Sequence, residues 1–309
     1  MTTLTRRAAR FVVVPALSAG ALLSLSACGG SGGWDNTPKY SEDRTMGVAH
    51  IAGTALSVVN ANGSVTATRD ASIEDQVRVE ARIYSYDTER LAFAQLHADR
   101  LGDGTLDIRV EWPAPGRHNN EGATIRVYLP DAEGVSIRTS NGAIHTEHLS
   151  GHAELTSSNG KVTVIGHRGD VVADSSNGSI RAESVAGPLD LSTSNGSVVV
   201  EHGLGPVLVE TSNGSVSIQT ADDNPGPVRA RTSNGAVNID LGEGFAGVLK
   251  LGTSNAKIHV RDVPHARLVE SSKNYVELRI GDSDEVSAVR TSNGSIRVKG
   301  TEPSVNVTD

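Results

Sequence analysis

Three histidines, His145, His148 and His152, fall within eight residues of one another, a density that raises the chemistry of a metal site. Their spacing argues against it. Side chains alternate faces along a strand, so His145 and His148 point opposite ways, and solvated histidines near a turn account for the group. A second set, Asp107, Glu111 and Trp112, places two carboxylates beside an aromatic ring, the equipment of a carbohydrate-active enzyme with a shallow groove. The third set is the largest and the most regular. Asn141, Asn159, Asn177, Asn195, Asn213, Asn234 and Asn293 each stand in Ser-Asn-Gly, and Asn255 stands in Ser254-Asn255-Ala256. Amides at fixed spacing offer no acid or base, but stacked one on another they can hydrogen-bond into a ladder.

A repeat must hold those asparagines. With Ser272-Lys273-Asn274 counted as the remaining copy and Lys273 at the Asn position, successive spacings are 18, 18, 18, 18, 21, 21, 18 and 20. That makes nine copies, and Ala61-Asn62-Gly63 resembles an outlying tenth. Three residues after each Asn stands an aliphatic (Ile144, Val162, Ile180 and onward), as does one four residues before it (Ile137, Leu155, Ala173 and onward). Each copy therefore reads as strand, Asn-Gly corner, strand, then a second turn with Gly or Pro. A hairpin meander fits any single copy, but it gives no reason to keep one residue in one place nine times. A solenoid does, because equivalent positions stack.

The sequence thus predicts an all-β, single-chain β-solenoid, β-helix- or β-roll-like, with coils of 18–21 residues stacked in chain order. Gly after each Asn is expected to supply a positive φ at the corner. The Ser or Thr two residues before each Asn shares parity with the aliphatic positions and points inward, unlike an ice-binding array. Calcium β-rolls need a recurrent Asp, and none recurs. An acyltransferase helix would divide each coil into three sides, whereas two strands and one special corner are read here.

The single cysteine, Cys28, excludes an intrachain disulfide and any multi-thiolate cluster. Before it lie Arg6, Arg7 and Arg10, an apolar stretch from Phe11 to Leu25, and then Leu25-Ser26-Ala27-Cys28. This order resembles the signal and lipobox of bacterial lipoproteins. The resemblance implies removal of residues 1–27, acylation of Cys28 with palmitate among its lipids, and membrane attachment through that residue. Residues 28–45, rich in Gly, Ser and charge, read as the anchor and a flexible tether. Removing 1–27 takes three arginines and no acid, so the net charge moves from −8 to −11. So acidic a chain is not expected to bind nucleic acid.

Residues 46–134 are less regular but strand-rich and are expected to form the first coils and a cap; 135–309 carry the regular coils and a C-terminal cap ending in Pro303 and Val305-Asn306-Val307. An alternating entry followed by tandem Thr-Ser-Asn-Gly coils is similar to the bacterial "putative adhesin" β-solenoid family of unknown function. That resemblance implies an extracytoplasmic envelope location and no catalytic residues. Phe245 and Tyr275 are the only aromatics after residue 135, which disfavours a sugar-stacking groove along the rod. The expectation is a non-catalytic, monomeric adhesion, interaction or structural module that needs no cofactor and contacts an envelope protein or a wall polymer. The alternatives are a carbohydrate-active surface enzyme around Asp107, Glu111 and Trp112, or an accessory of envelope-stress signalling.

Overall fold

Valine and isoleucine at alternate positions favour extended chain, and each short run is ended by Asn-Gly or Gly-Pro. In the computed structural model, which describes residues 40–300, these runs form two long sheets of 12 and 13 strands. A regular coil contributes one strand to each sheet. The Asn159 coil, for example, places Ser150–Ser157 in the second sheet and Val162–Ile165 in the first. Successive coils pair in parallel and in register: Val162 lies between Ile144 and Ile180, and Leu155 between Ile137 and Ala173. Inward side chains such as Ile137, Leu155, Val164, Leu191 and Val209 are fully buried between the sheets. Their burial is the main stabilising term, about 1.5–3 kcal/mol for each large aliphatic. At about 4.8 Å per strand, the longer axis of the stack is about 50 Å.

The corner is where the motif acts. In most coils the inward Ser or Thr accepts the amide of the Gly three residues later and donates its hydroxyl to the corresponding Gly carbonyl of the preceding coil in the stack, while Thr139 and Thr253 make only the donated bond. Thr193 Oγ1 accepts from Gly196 N at 3.3 Å and donates to Gly178 O at 3.0 Å. Ser157, Ser175, Thr211, Thr232 and Thr291 repeat both bonds. One buried hydroxyl thus satisfies a donor and an acceptor that the corner would otherwise leave unpaired.

The glycines are needed for a different reason than the one expected. Of the Asn-Gly corners, only Gly63 has a positive φ. In the others the backbone is crowded instead: a Cβ on Gly196 would lie 2.0 Å from Gly178 O, and one on Gly214 1.8 Å from Gly196 O. Close stacking of backbone on backbone selects glycine here, not a left-handed dihedral.

Stacking order departs from chain order at both ends. Val286–Thr291 and Ile296–Gly300, the last coil in sequence, lie between the coil of Val228–Arg231 and Val237–Leu241 and the coil of Gly247–Thr253 and Ile258–Arg261. At the other end the coil of Leu56–Asn60 and Val65–Arg69 lies between 106–129 and 133–147. The outlying Asn62 copy is therefore a full coil. The Lys273 copy is not one: Ala266–Ser271 and Tyr275–Ile280 form an antiparallel hairpin that extends the second sheet alone. Among the described residues no strand of the first sheet lies opposite it, and Leu268 and Val269 are 64% and 58% exposed. The Pro303 tail expected to cap this end lies outside the described residues.

The first end is closed by the helix Thr88–Phe93, N-capped by Asp87 and burying Leu91. Arg44 on the edge strand Tyr40–Ala49 donates to the carbonyls of Leu91 and Ala94. The 21-residue spacing from Asn213 to Asn234 widens the second corner. There Asn224 is fully buried and donates to Gly203 O and Gly205 O at 2.7 and 2.9 Å.

Candidate functional site

The asparagines stand on the solvent side of the corner. Asn159 donates to Asn141, Asn177 to Asn159, Asn195 to Asn177, Asn213 to Asn195 and Asn234 to Asn213, all at 2.7–2.9 Å. The file continues through Asn293 to Asn255 at 2.7 Å each. Every amide along it is occupied by the next, so the ladder binds itself. Cys28 lies outside the described residues.

The three histidines do not share one centre, although His145 and His148, expected on opposite faces, both lie beside Glu147, because His148 leaves the strand with a positive φ. His145 Nε2 is 3.8 Å and His148 Nε2 3.6 Å from the Glu147 carboxylate, while His152 Nδ1 is 2.6 Å from Asp170 on the next coil. Among the described residues no group of three or more His, Cys, Asp or Glu could hold a metal ion.

Asp107 and Glu111 share the strand Leu106–Glu111, four residues and therefore about 13 Å apart. Paired glycosidase carboxylates stand about 5–9.5 Å apart, so the separation suits neither stereochemical course. Both are also engaged elsewhere. Asp107 accepts from Ser57 and Arg109 at 3.0 and 2.6 Å, and Glu111 lies 3.1 Å from His97. Trp112 is half-buried and packs on the core. An ionisable group held hard is found nearby, at Glu121. Burial opposes its ionisation, but Arg90 in two-pronged contact at 2.6 and 2.9 Å, the His118 amide and the Ser85 hydroxyl outweigh it and hold the carboxyl at about 2. This pair ties the capping helix to the 113–121 loop.

Surface depressions lie on both sheets. One, about 250 Å³, runs over Pro188, Pro206 and Pro227, with Asp170, Asp190 and Arg229 among the residues that line it. Another, about 550 Å³, lies on the outward face of the first sheet at its far end, lined by Asn238, Asp240, His259, Arg261, Arg297 and Lys299. Sequence order hides this second site. Read coil by coil, Glu277 falls between His259 and Arg297, and no charge pattern emerges. In the structure Glu277 belongs to the other sheet, and Arg297 is the direct register neighbour of His259.

The described residues thus form a rod of parallel two-strand coils with a hydroxyl-bridged Asn-Gly corner. A family model with the description Toastrack DUF4097 matches residues 64–299. The chain belongs to this family. The resemblance read from its Thr-Ser-Asn-Gly coils is met, and Toastrack is a β-solenoid-like fold. Among solved structures, the Toastrack chain is similar to a "putative adhesin" from Bacteroides fragilis NCTC 9343, with 12% identity over 84% of this chain and 97% of that one and a TM-score of 0.35. It is also similar to a "putative lipid binding protein" from Parabacteroides distasonis ATCC 8503, with 13% identity, the same coverage and a TM-score of 0.38. A "putative cell adhesion protein" from Clostridium sporogenes ATCC 15579 shares 12% identity over 85% of this chain and 100% of its own, with a TM-score of 0.26. No curated protein matches the chain. Among the described residues no helix is long and apolar enough to cross a membrane.

Proposed function

We propose that this Toastrack protein is a non-catalytic module of the bacterial cell envelope. It is attached to the membrane through lipid on Cys28 and docks an envelope protein or a wall polymer on its exposed sheet faces. One observation carries the reading: outward side chains are set coil by coil along a rod, and the two carboxylates singled out for chemistry, Asp107 and Glu111, stand apart and are each paired elsewhere. The signal, Cys28 and the residues that follow it supply the means of attachment, although the expected tether is shorter than 28–45, since residues 40–45 belong to the strand Tyr40–Ala49.

The test compares wild type with Cys28→Ser in cells fed a clickable palmitate analogue. Wild type is expected in the membrane fraction with label, and the variant in the soluble extracytoplasmic fraction without it. Membrane retention of the unlabelled variant overturns the anchor. Photo-crosslinkers at the outward positions Thr163 and Ser217, on different coils, are expected to capture the same envelope component. Capture of cytoplasmic proteins alone overturns the location.

A further inference from the structure

Charge divides the rod into two unlike parts. Residues 40–225 carry 13 Lys+Arg against 25 Asp+Glu, while residues 226–300 carry 11 against 8. In a chain of net charge −8 the far end is therefore basic, and part of that excess gathers on one outward face. On the first sheet Arg297 lies beside His259 and Lys299 beside Arg261. On the inner side Arg297 adjoins Asn238, and Lys299 adjoins Asp240. Neighbouring strands stand about 4.8 Å apart and same-face residues on one strand about 6.6 Å apart, so the bases form a small grid.

Their pairing is incomplete. Lys299 Nζ lies 3.2 Å from Asp240 Oδ2. The side chains of Arg261, Arg297 and His259 have no hydrogen-bond or ion-pair partner among the described residues. Arg181, on the same face nearer mid-rod, shows what a satisfied arginine looks like here: it is held by Glu183 and Glu201. Like charges on neighbouring strands repel, and the one carboxylate in this grid, Asp240, is paired with Lys299 and not with either guanidinium. They border an open depression of about 550 Å³ that runs out to the terminal strand of the sheet, Ile258–Arg261.

We propose that this face binds a linear phosphodiester polymer of the envelope, a polyol phosphate chain laid along the Arg297–Arg261–Lys299 grid. The inference rests on the envelope reading above. Planar guanidiniums match phosphate oxygens with two parallel hydrogen bonds, and an open-ended depression admits a chain rather than a small molecule. No Trp, Tyr or Phe lines the depression, so it lacks the platform on which a sugar ring would stack. That favours a polymer recognised by its charged backbone over an acidic polysaccharide. The face also stands at the opposite end of the rod from Tyr40–Ala49, the first strand of the described residues.

The test uses the full chain carrying Cys28→Ser and a fluorescein-labelled synthetic poly(glycerol phosphate), followed by polarisation. Polygalacturonate and neutral dextran are the comparators. Binding of the phosphate polymer is expected, falling about tenfold between about 50 and 200 mM salt. The double variant Arg261→Gln/Arg297→Gln is expected to lose about tenfold or more, with an unchanged melting temperature because both side chains are exposed. Arg181→Gln is expected to bind as the parent does. No binding by the parent chain, equal binding by the double variant, or tighter binding of polygalacturonate overturns the proposal. So does a salt-sensitive dimer in light scattering that the double variant abolishes, which would make a second copy's acidic half the occupant. Failure here with Thr163 and Ser217 still capturing an envelope protein would leave the envelope reading standing.

Discussion

Asn293 donates its side-chain amide to Asn234, 59 residues earlier in the chain, and accepts from Asn255, 38 residues earlier, each at 2.7 Å. The last coil of the sequence is the last but one of the rod. This single change of order brings Arg297 and Lys299 against His259 and Arg261 and so creates the basic face.

The corner allows its parts to be ranked. Gly196→Ala drives a methyl group into the Gly178 carbonyl and is expected to cost about 3 kcal/mol or more. Thr193→Val leaves the Gly196 amide and Gly178 carbonyl buried without partners, for about 1–3 kcal/mol. Asn195→Ala removes an exposed amide and is expected to cost only about 0.5–1 kcal/mol. Urea denaturation gives the order directly. A loss at Asn195 equal to that at Gly196 would move the stabilising role from the backbone to the ladder.

Glu121 makes the capped end sensitive to acid. Its folded-state value of about 2 lies below the ordinary carboxylate value of 4.5, so its contribution is fully present above about pH 4.5 and lost as pH falls toward 2. Glu121→Gln removes the counter-charge of Arg90, whose side chain is only 14% exposed and keeps its bond to the Gly116 carbonyl, and is expected to cost about 1–3 kcal/mol at pH 7. Urea midpoints between pH 2 and 6 should then fall less steeply in the variant than in wild type. Parallel curves would show that other carboxylates govern the acid limb.

His167 occupies the second corner where the flanking coils place Leu149 and Val185, and it is 1% exposed. Burial lowers its affinity for a proton; the Gly151 carbonyl and Asp170 oppose that effect, and His152 adds to it. A depressed histidine leaves stability intact above the unfolded value near 6.5 and erodes it as pH falls below that. His167→Leu is expected to narrow the difference in melting temperature between pH 7.5 and pH 5. An unchanged difference would place the proton elsewhere.

The coils were legible because Ser/Thr, Asn, Gly and aliphatics recur at fixed offsets, and each offset has one physical reason. Inward hydroxyls could be read from parity with Ile144 or Val162, and the corner glycines from their place beside Asn. The reason for those glycines could not, since a crowded backbone and a positive φ select the same residue. Order in the stack was hidden as well, because register between parallel coils depends on what is adjacent, and the copies around Asn234, Asn255 and Asn293 are nearly interchangeable. The Lys273 copy kept Val269 and Val276 at the right offsets yet formed a hairpin, and its missing Asn-Gly was the available signal.

The intercalated coil also imposes a timetable. A chain that emerges amino-terminus first makes Gly247–Thr253 and Ile258–Arg261 well before Val286–Gly300, the segment that must lie between them and Val237–Leu241. Those two strands cannot dock on the coil before them without closing the slot that the final segment needs. Most of the rod can therefore be wound as it appears, but its basic end must be held open and sealed only after the chain has been made as far as residue 300.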